Sequence, residues 1–274
     1  MAKKFWGQHF LKDKKLLQRI IEGLKPSLED VVLEIGPGQG ALTGELINQV
    51  KKLIVVEIDR DLCGYLGEKF ADRKNLEIIA EDFLKLNLEE IMKKEKICHL
   101  KILGNLPYYI TSPILRKLTE EICWDLAVVT IQKEVAERVI ADPGTKKYGL
   151  LSLAIQNKCQ TEYLFSIPKT HFFPIPKVDS AVIKLLPRTK PLVPKNWEKQ
   201  FFQVVHAAFG QRRKTLSNSL SHGLNLEKEK INKTLESCGI STSERAEKLS
   251  SDDFLNITKN ICFPDTILPI KLPN

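Results

Sequence analysis

The chain reads as an α/β domain with a mostly parallel sheet, followed by a small all-helical domain. Three observations carry this. Short Val/Ile-rich runs alternate with amphipathic runs from Val31 to Pro187. A glycine-rich turn, "EIGPGQGALT", joins the first of these runs to a helix. Past the Pro-rich stretch "LLPRTKPLVPKN", the apolar spacing is helical throughout. Continuous apolar strands alternating with helices imply a sheet covered on both faces. The division falls at the Pro-rich stretch, giving residues 1–187 and 188–274.

Each element has its own signature. "VVLEIG", "LIVVEID", "LEIIAED", "HLKILGNL" and "WDLAVVTIQ" are strand-length and rich in branched residues. "ALTGELINQV", "DLCGYLGEKF", "KEVAERVIA" and "YGLLSLAIQNKC" carry apolar residues at helical spacing. "EYLFSI" and "SAVIKLLP" read as closing strands. "NWEKQFFQVVHAAF", "RKTLSNSLSHGL", "LEKEKINKTLESCGI" and "DDFLNITKNIC" supply the helices of the second domain.

Composition excludes several classes. At 274 residues and 43% hydrophobic, the chain has enough apolar content for a packed core and is not a disordered polymer. No apolar run reaches the ~18 residues that span a bilayer. The start "MAKKFWGQHFLKDKK" lacks the apolar core of a secretion signal. Six cysteines, with no C-x-x-C pair, read as reduced thiols in a cytoplasmic protein, and no metal site is expected. The net charge of +8 suggests a polyanionic partner. Its placement is more telling than its size: "GQRRKTLSNSLSHG" interleaves Arg212, Arg213 and Lys214 with hydroxyl residues suited to phosphate contact.

Four positions carry the chemistry of the α/β domain. Glycines at Gly36, Gly38 and Gly40 let the backbone turn sharply and approach a ligand. Their spacing is not that of a dinucleotide fingerprint and favours a single nucleoside-like cofactor. Glu57, ending "LIVVEID", is placed to accept both hydroxyls of a ribose. Asp82 in "AEDF" can accept from the exocyclic amine of an adenine. Together these fit S-adenosyl-L-methionine, whose cationic sulfonium suits an acidic pocket. In "GNLPYYITSPIL", the side chain of Asn105 and the carbonyl of Leu106 can accept hydrogen bonds from a planar amine, and Tyr108 offers a ring on which a base can stack.

In order along the chain, "GQHFL", "EIGPGQGALT", "VVEID", "AEDF", "GNLPYYITSPIL", "FFPIPKVDSAV", "FGQRRKTLSNSL" and "RAEKLS" resemble the ribosomal RNA small-subunit adenine dimethyltransferases. The match spans about residues 5–250. The resemblance implies a Rossmann-like S-adenosylmethionine-dependent methyltransferase domain. It further implies dimethylation of N6 on two adjacent adenines in a hairpin loop near the 3′ end of small-subunit rRNA. By the same resemblance Gly36, Glu57, Asp82 and Asn105 contact the cofactor, and His9 and Leu11 close over it. Tyr108 and Phe172 sandwich the target adenine. His9 departs from the pattern, which usually has Asn there. The implied partner is the small ribosomal subunit, met by a monomer with no membrane association. A sibling enzyme that methylates a large-subunit adenine, and a non-catalytic ribosome-assembly factor, stay open as alternatives.

Overall fold

The computed structural model describes residues 9–211 and 213–261. Its strands are β1 (Phe10–Leu11), β2 (Val31–Ile35), β3 (Lys52–Val56), β4 (Leu76–Ile79), β5 (Lys101–Asn105), β6 (Leu126–Gln132), β7 (Cys159–Ile167), β8 (Phe172–Phe173) and β9 (Ser180–Pro187). Its α-helices are α1 (Lys14–Leu24), α2 (Ala41–Leu46), α3 (Arg60–Lys69), α4 (Leu88–Glu95), α5 (Thr111–Glu120), α6 (Lys133–Val139), α7 (Leu150–Lys158), α8 (Glu198–Phe209), α9 (Leu216–Leu224), α10 (Lys228–Ser237) and α11 (Ser251–Asn260).

Seven strands form one sheet in the order β4-β3-β2-β5-β6-β9-β7. Strands β2 to β6 pair in parallel, and β9 runs antiparallel to β6. Every residue of β2 is buried, and so are the middle five of β6. This explains their unbroken apolar runs, because helices cover both faces of such a sheet. The helix α1 shows how covering works. Asp13 caps it by accepting from the amides of Lys15 and Leu16, and Leu17, Ile20, Ile21 and Leu24 form one buried stripe. The strand order reverses between β2 and β5, and the carboxyl ends of β2 to β5 share one edge. That edge is where ligands of such sheets bind. The short strands β1 and β8 form a separate antiparallel pair, with Phe10 opposite Phe173 and Leu11 opposite Phe172.

The structure corrects a single cut at Pro187. One compact unit runs to Glu137 and resumes over Gln160–Pro187; the other takes Arg138–Cys159 together with the chain from Arg188. The reason is burial. Ala141, Tyr148 and Leu153 lie in the same apolar cluster as Phe201, Val204 and Phe254. The second unit thus recruits α7 to complete its core. Within it, α11 opens on a capping box in which Ser250 and Asp253 satisfy each other's backbone amides. No helix among the described residues is long and apolar enough to cross a membrane.

Candidate active site

The site is built at the carboxyl ends of β2 to β5. Gly36 and Gly38 have φ values of 65° and 58°, left-handed conformations that glycine adopts without strain. The Gly36 amide donates to the Val56 carbonyl (2.9 Å), which ties the loop to the end of β3. A side chain at Gly38 has no room: its Cβ would lie 2.7 Å from the ring of Phe10.

Glu57 follows β3 and is held before any ligand arrives. One carboxylate oxygen accepts from the Gly38 amide (3.2 Å) and the other from the Asp59 amide (3.0 Å). Burial nevertheless raises its pKa above the ordinary value. On β2, Glu34 accepts from the Thr43 hydroxyl (2.7 Å) and is almost completely buried, which pushes its carboxyl up to about 7. Neither carboxylate is paired with a cation among the described residues. Two buried, uncompensated acids beside a nucleoside-sized cavity fit a ligand carrying positive charge. Asp82, half-buried past β4, accepts from the Leu84 amide (3.0 Å) and caps the turn Phe83–Lys85.

Asn105 ends β5. Its side-chain amide donates to the carbonyl of His9 (3.0 Å), leaving Oδ1 as an acceptor. The Leu106 side chain is buried, and its amide is fixed by the Thr130 carbonyl (2.9 Å). Tyr108 sits on the turn Tyr108–Ile110, and its hydroxyl is hydrogen-bonded to that of Ser180 (2.7 Å). The His9 ring lies 5.5 Å from the Tyr108 ring, tilted by 32°, with Nδ1 2.7 Å from the Pro174 carbonyl. One cavity of about 360 Å³ brings these groups together. Gly36, Gly38, Glu57, Asp82, Asn105, Leu106, Tyr108, His9 and Leu11 all line it.

Phe172, expected to sandwich the adenine, is 3% exposed and lies in the same apolar cluster as Leu11, Leu17 and Ile167; neither it nor Phe173 lines the cavity. Phe173 is 63% exposed, with the Lys12 ammonium 5.1 Å from its ring centroid. Successive residues of a strand point to opposite sides, so one of this pair had to be inward. The basic stretch belongs to the other unit. Arg212 lies outside the described residues. Arg213 and Lys214 are exposed just before α9. Thr215 caps α9 by accepting from the Asn218 amide, which leaves its O–H to donate, whereas Ser217 is buried and bonded to Asn232 (2.5 Å) and is not free for phosphate. Among the described residues no cluster of His, Cys, Asp or Glu is placed to hold a metal. Sequence reasoning missed Glu34, Ile58 and Tyr109 as pocket residues. The doubled tyrosine of "NLPYY" was a usable signal for Tyr109, which is 54% exposed.

A doubly wound sheet with an antiparallel strand beyond its parallel core, a glycine loop and an acidic nucleoside pocket define a Rossmann-like S-adenosylmethionine-dependent methyltransferase. The family model for ribosomal RNA adenine dimethylase matches residues 1–262, and the chain belongs to that family. It is 47% identical over 257 residues to a ribosomal RNA small subunit methyltransferase A of Caldanaerobacter subterraneus, covering 93% of this chain and 96% of the relative. The namesake of Clostridium botulinum is 43% identical over 249 residues, with 90% of each chain covered. Among solved structures, a dimethyladenosine transferase of Plasmodium falciparum superimposes with a TM-score of 0.76 at 27% identity, covering 91% of this chain and 96% of that one. The 23S rRNA methyltransferase ErmE gives 0.70 at 26%, covering 92% and 98%.

The Glu34 carboxyl yields a pH prediction. Between its ordinary 4.5 and about 7, the folded chain keeps a proton that the unfolded chain has released. Stability therefore falls as pH rises through that window. Glu34→Gln keeps an acceptor for Thr43 and removes the titration. Thermal melts of the cofactor-free protein are expected to show the variant more stable at pH 8 by roughly 3 kcal/mol, the gap closing toward pH 4.5. A gap of equal size at both pH values would contradict the assignment.

Proposed function

We propose that this enzyme dimethylates N6 of two adjacent adenines in the 3′-terminal hairpin loop of small-subunit (16S) rRNA. The observation that carries the reading is the fixed amide of Asn105. With its NH₂ committed to the His9 carbonyl, Oδ1 is left to accept from an exocyclic amine, beside the Leu106 carbonyl and the Tyr108 ring. The names and identities of the relatives above support the small subunit as the substrate.

The chain's residues divide the work. Glu57 takes the ribose hydroxyls and Asp82 the adenine amine of the cofactor. The exposed flank of Ile58 offers an apolar face beside them. His9 and Leu11 cover this end of the pocket. Bound there, S-adenosylmethionine supplies a methyl group activated by a positive sulfur. The target adenine is unstacked from its loop, because an N6 inside a helix cannot be reached. It is held between Tyr108 and Phe173, and base-aromatic stacking of this kind contributes about 1–3 kcal/mol per ring. The amine lone pair is delocalised into the base. Accepting its two protons at Asn105 Oδ1 and the Leu106 carbonyl localises that pair toward the methyl group. Nitrogen forms the new bond to carbon as carbon–sulfur breaks, the electrons go to sulfur, and the surplus amine proton leaves to solvent. No strong general base and no metal is required, so catalysis is positioning and electrostatics. N6-methyladenine must then re-enter the same site. Arg213 and Lys214 grip the RNA backbone from the helical unit. The enzyme acts as a monomer in the cytoplasm and takes part in small-subunit biogenesis.

The likeness to ErmE supports a second reading, methylation of a large-subunit adenine. Labelled S-adenosylmethionine, supplied with small and large subunits from cells lacking dimethylation, separates the two. Label recovered as N6,N6-dimethyladenine in the small subunit is expected; label confined to the large subunit overturns the proposal. Asn105→Ala is expected to keep cofactor affinity within about tenfold while transfer falls by about 10²–10³-fold, measured by calorimetry and single-turnover assay. Equal loss of both would remove its role on the amine. Phe173→Leu is expected to raise KM for the ribosomal substrate roughly tenfold. Phe172→Leu should instead lower the melting temperature with KM little changed, and the reverse pattern would restore Phe172 to the sandwich.

A further inference from the structure

Tyr108 has a tether that the chemistry above does not use. The ring stands on a single 3₁₀ turn without a side-chain cap, and one such turn restrains a side chain weakly. Tyr108 is only half-buried, so packing alone leaves it room to swing. Its hydroxyl meets Ser180 at 2.7 Å. Ser180 is the opposite kind of residue. It is completely buried and opens β9, in register with Gln132 of β6. Asp179 beside it is pinned twice, its carbonyl by the Lys133 amide (3.0 Å) and its carboxylate by the Lys169 amide (2.9 Å).

We infer that Ser180 is a positioning residue: a fixed post that holds the Tyr108 ring plane so that a base stacked on it presents its amine to Asn105 and Leu106. The inference rests on the functional reading above in taking Tyr108 as the stacking platform. Mutual satisfaction of two hydroxyls would also explain the contact, but the structure gives it a direction. A half-buried phenol can find water by a small rotation, whereas the buried hydroxyl of Ser180 cannot. The bond therefore does two things at once: it satisfies the buried Ser180 hydroxyl and it fixes the ring that supplies the other partner. A reaction that relies on placement alone is sensitive to such a swing, since an error of about 1 Å is worth about 10²-fold in rate. Ser180→Ala deletes one oxygen and leaves the packing almost whole, so it tests the tether and not the fold.

The experiment compares wild type, Ser180→Ala, Tyr108→Phe and the double variant in methyl transfer to undermethylated small subunits. Each single variant is expected to lower kcat roughly tenfold, with S-adenosylmethionine affinity close to wild type; Ser180→Ala is expected to melt close to wild type, and Tyr108→Phe, which strands the buried Ser180 hydroxyl, to melt lower. The double variant is expected to be no worse than either single, because both delete the same bond. Multiplying losses, or a Ser180→Ala defect that follows cofactor affinity or melting temperature, overturns the inference. A second readout needs no transfer. An RNA hairpin with 2-aminopurine in its loop is quenched when that base stacks on a ring, and Ser180→Ala is expected to weaken the quench. An unchanged quench overturns the inference, and so does the absence of any quench by wild type. If wild type labels no small-subunit rRNA, the functional reading falls instead, and the quench comparison still decides the role of Ser180.

Discussion

The hydrogen bond from the Asn105 amide to the His9 carbonyl determines what the rest of the site can do. A free asparagine side chain presents oxygen or NH₂ to a pocket with little preference, because the two ends have nearly the same size. An amine can use only the oxygen. Committing the NH₂ to a main-chain carbonyl settles the choice before substrate arrives. That carbonyl must itself be held, and three features hold it. Phe10 and Leu11 pair with β8, the Phe10 ring covers Gly38, and Leu11 is buried in the core. A two-residue strand is thus justified by what it positions.

The opposite end of the pocket is incomplete by itself. Glu34 and Glu57 are buried acids whose hydrogen bonds come from a hydroxyl and from backbone amides, with no ammonium or guanidinium among the described residues to balance them. Desolvation drives both carboxyls upward, and in Glu34 it outweighs the Thr43 bond. A cationic ligand reverses that balance by supplying the missing charge where water is scarce. Once its methyl is transferred, the ligand loses its sulfonium charge and part of its attraction to the pocket. In the proposed function, carboxyls that draw a cationic donor in would hold the uncharged product less well.

Much of this was legible in the sequence, and what was not has identifiable reasons. The central strands β2, β3, β5 and β6 announce themselves as apolar runs, because burial on both faces leaves no room for alternation. The glycine loop, Glu57, Asp82 and Asn105 lie at strand ends, where the ligand edge of such a sheet must be, and the structure lines one cavity with them. The sequence pointed to Phe172, while the ring that the structure exposes is that of Phe173; a shift of one residue in a two-residue strand exchanges the inward and outward rings. The helix α7 was readable as a helix, but an apolar stripe does not say which of two cores it joins. Ser180 gave no signal, as a serine at the start of a strand can be anything. The contact through the carbonyl of His9 was also unreadable, since every residue has a carbonyl. That last point explains why His can stand where Asn is usual: the bond to Asn105 does not involve the side chain.

Two tethers thus reach the same short segment from opposite directions in the chain. Asn105 is held from the N-terminal side through His9, and Tyr108 from β9 through Ser180. Both are neutral, partly buried hydrogen bonds within the α/β unit and are little affected by ionic strength. In the proposed function the grip on RNA falls to exposed cations such as Arg213 and Lys214, and a grip of that kind weakens steeply with salt. Affinity for the ribosomal particle and alignment of the reacting amine therefore rest on different forces. Salt that releases the RNA leaves the alignment intact, and loss of a tether misplaces the amine while the RNA stays bound.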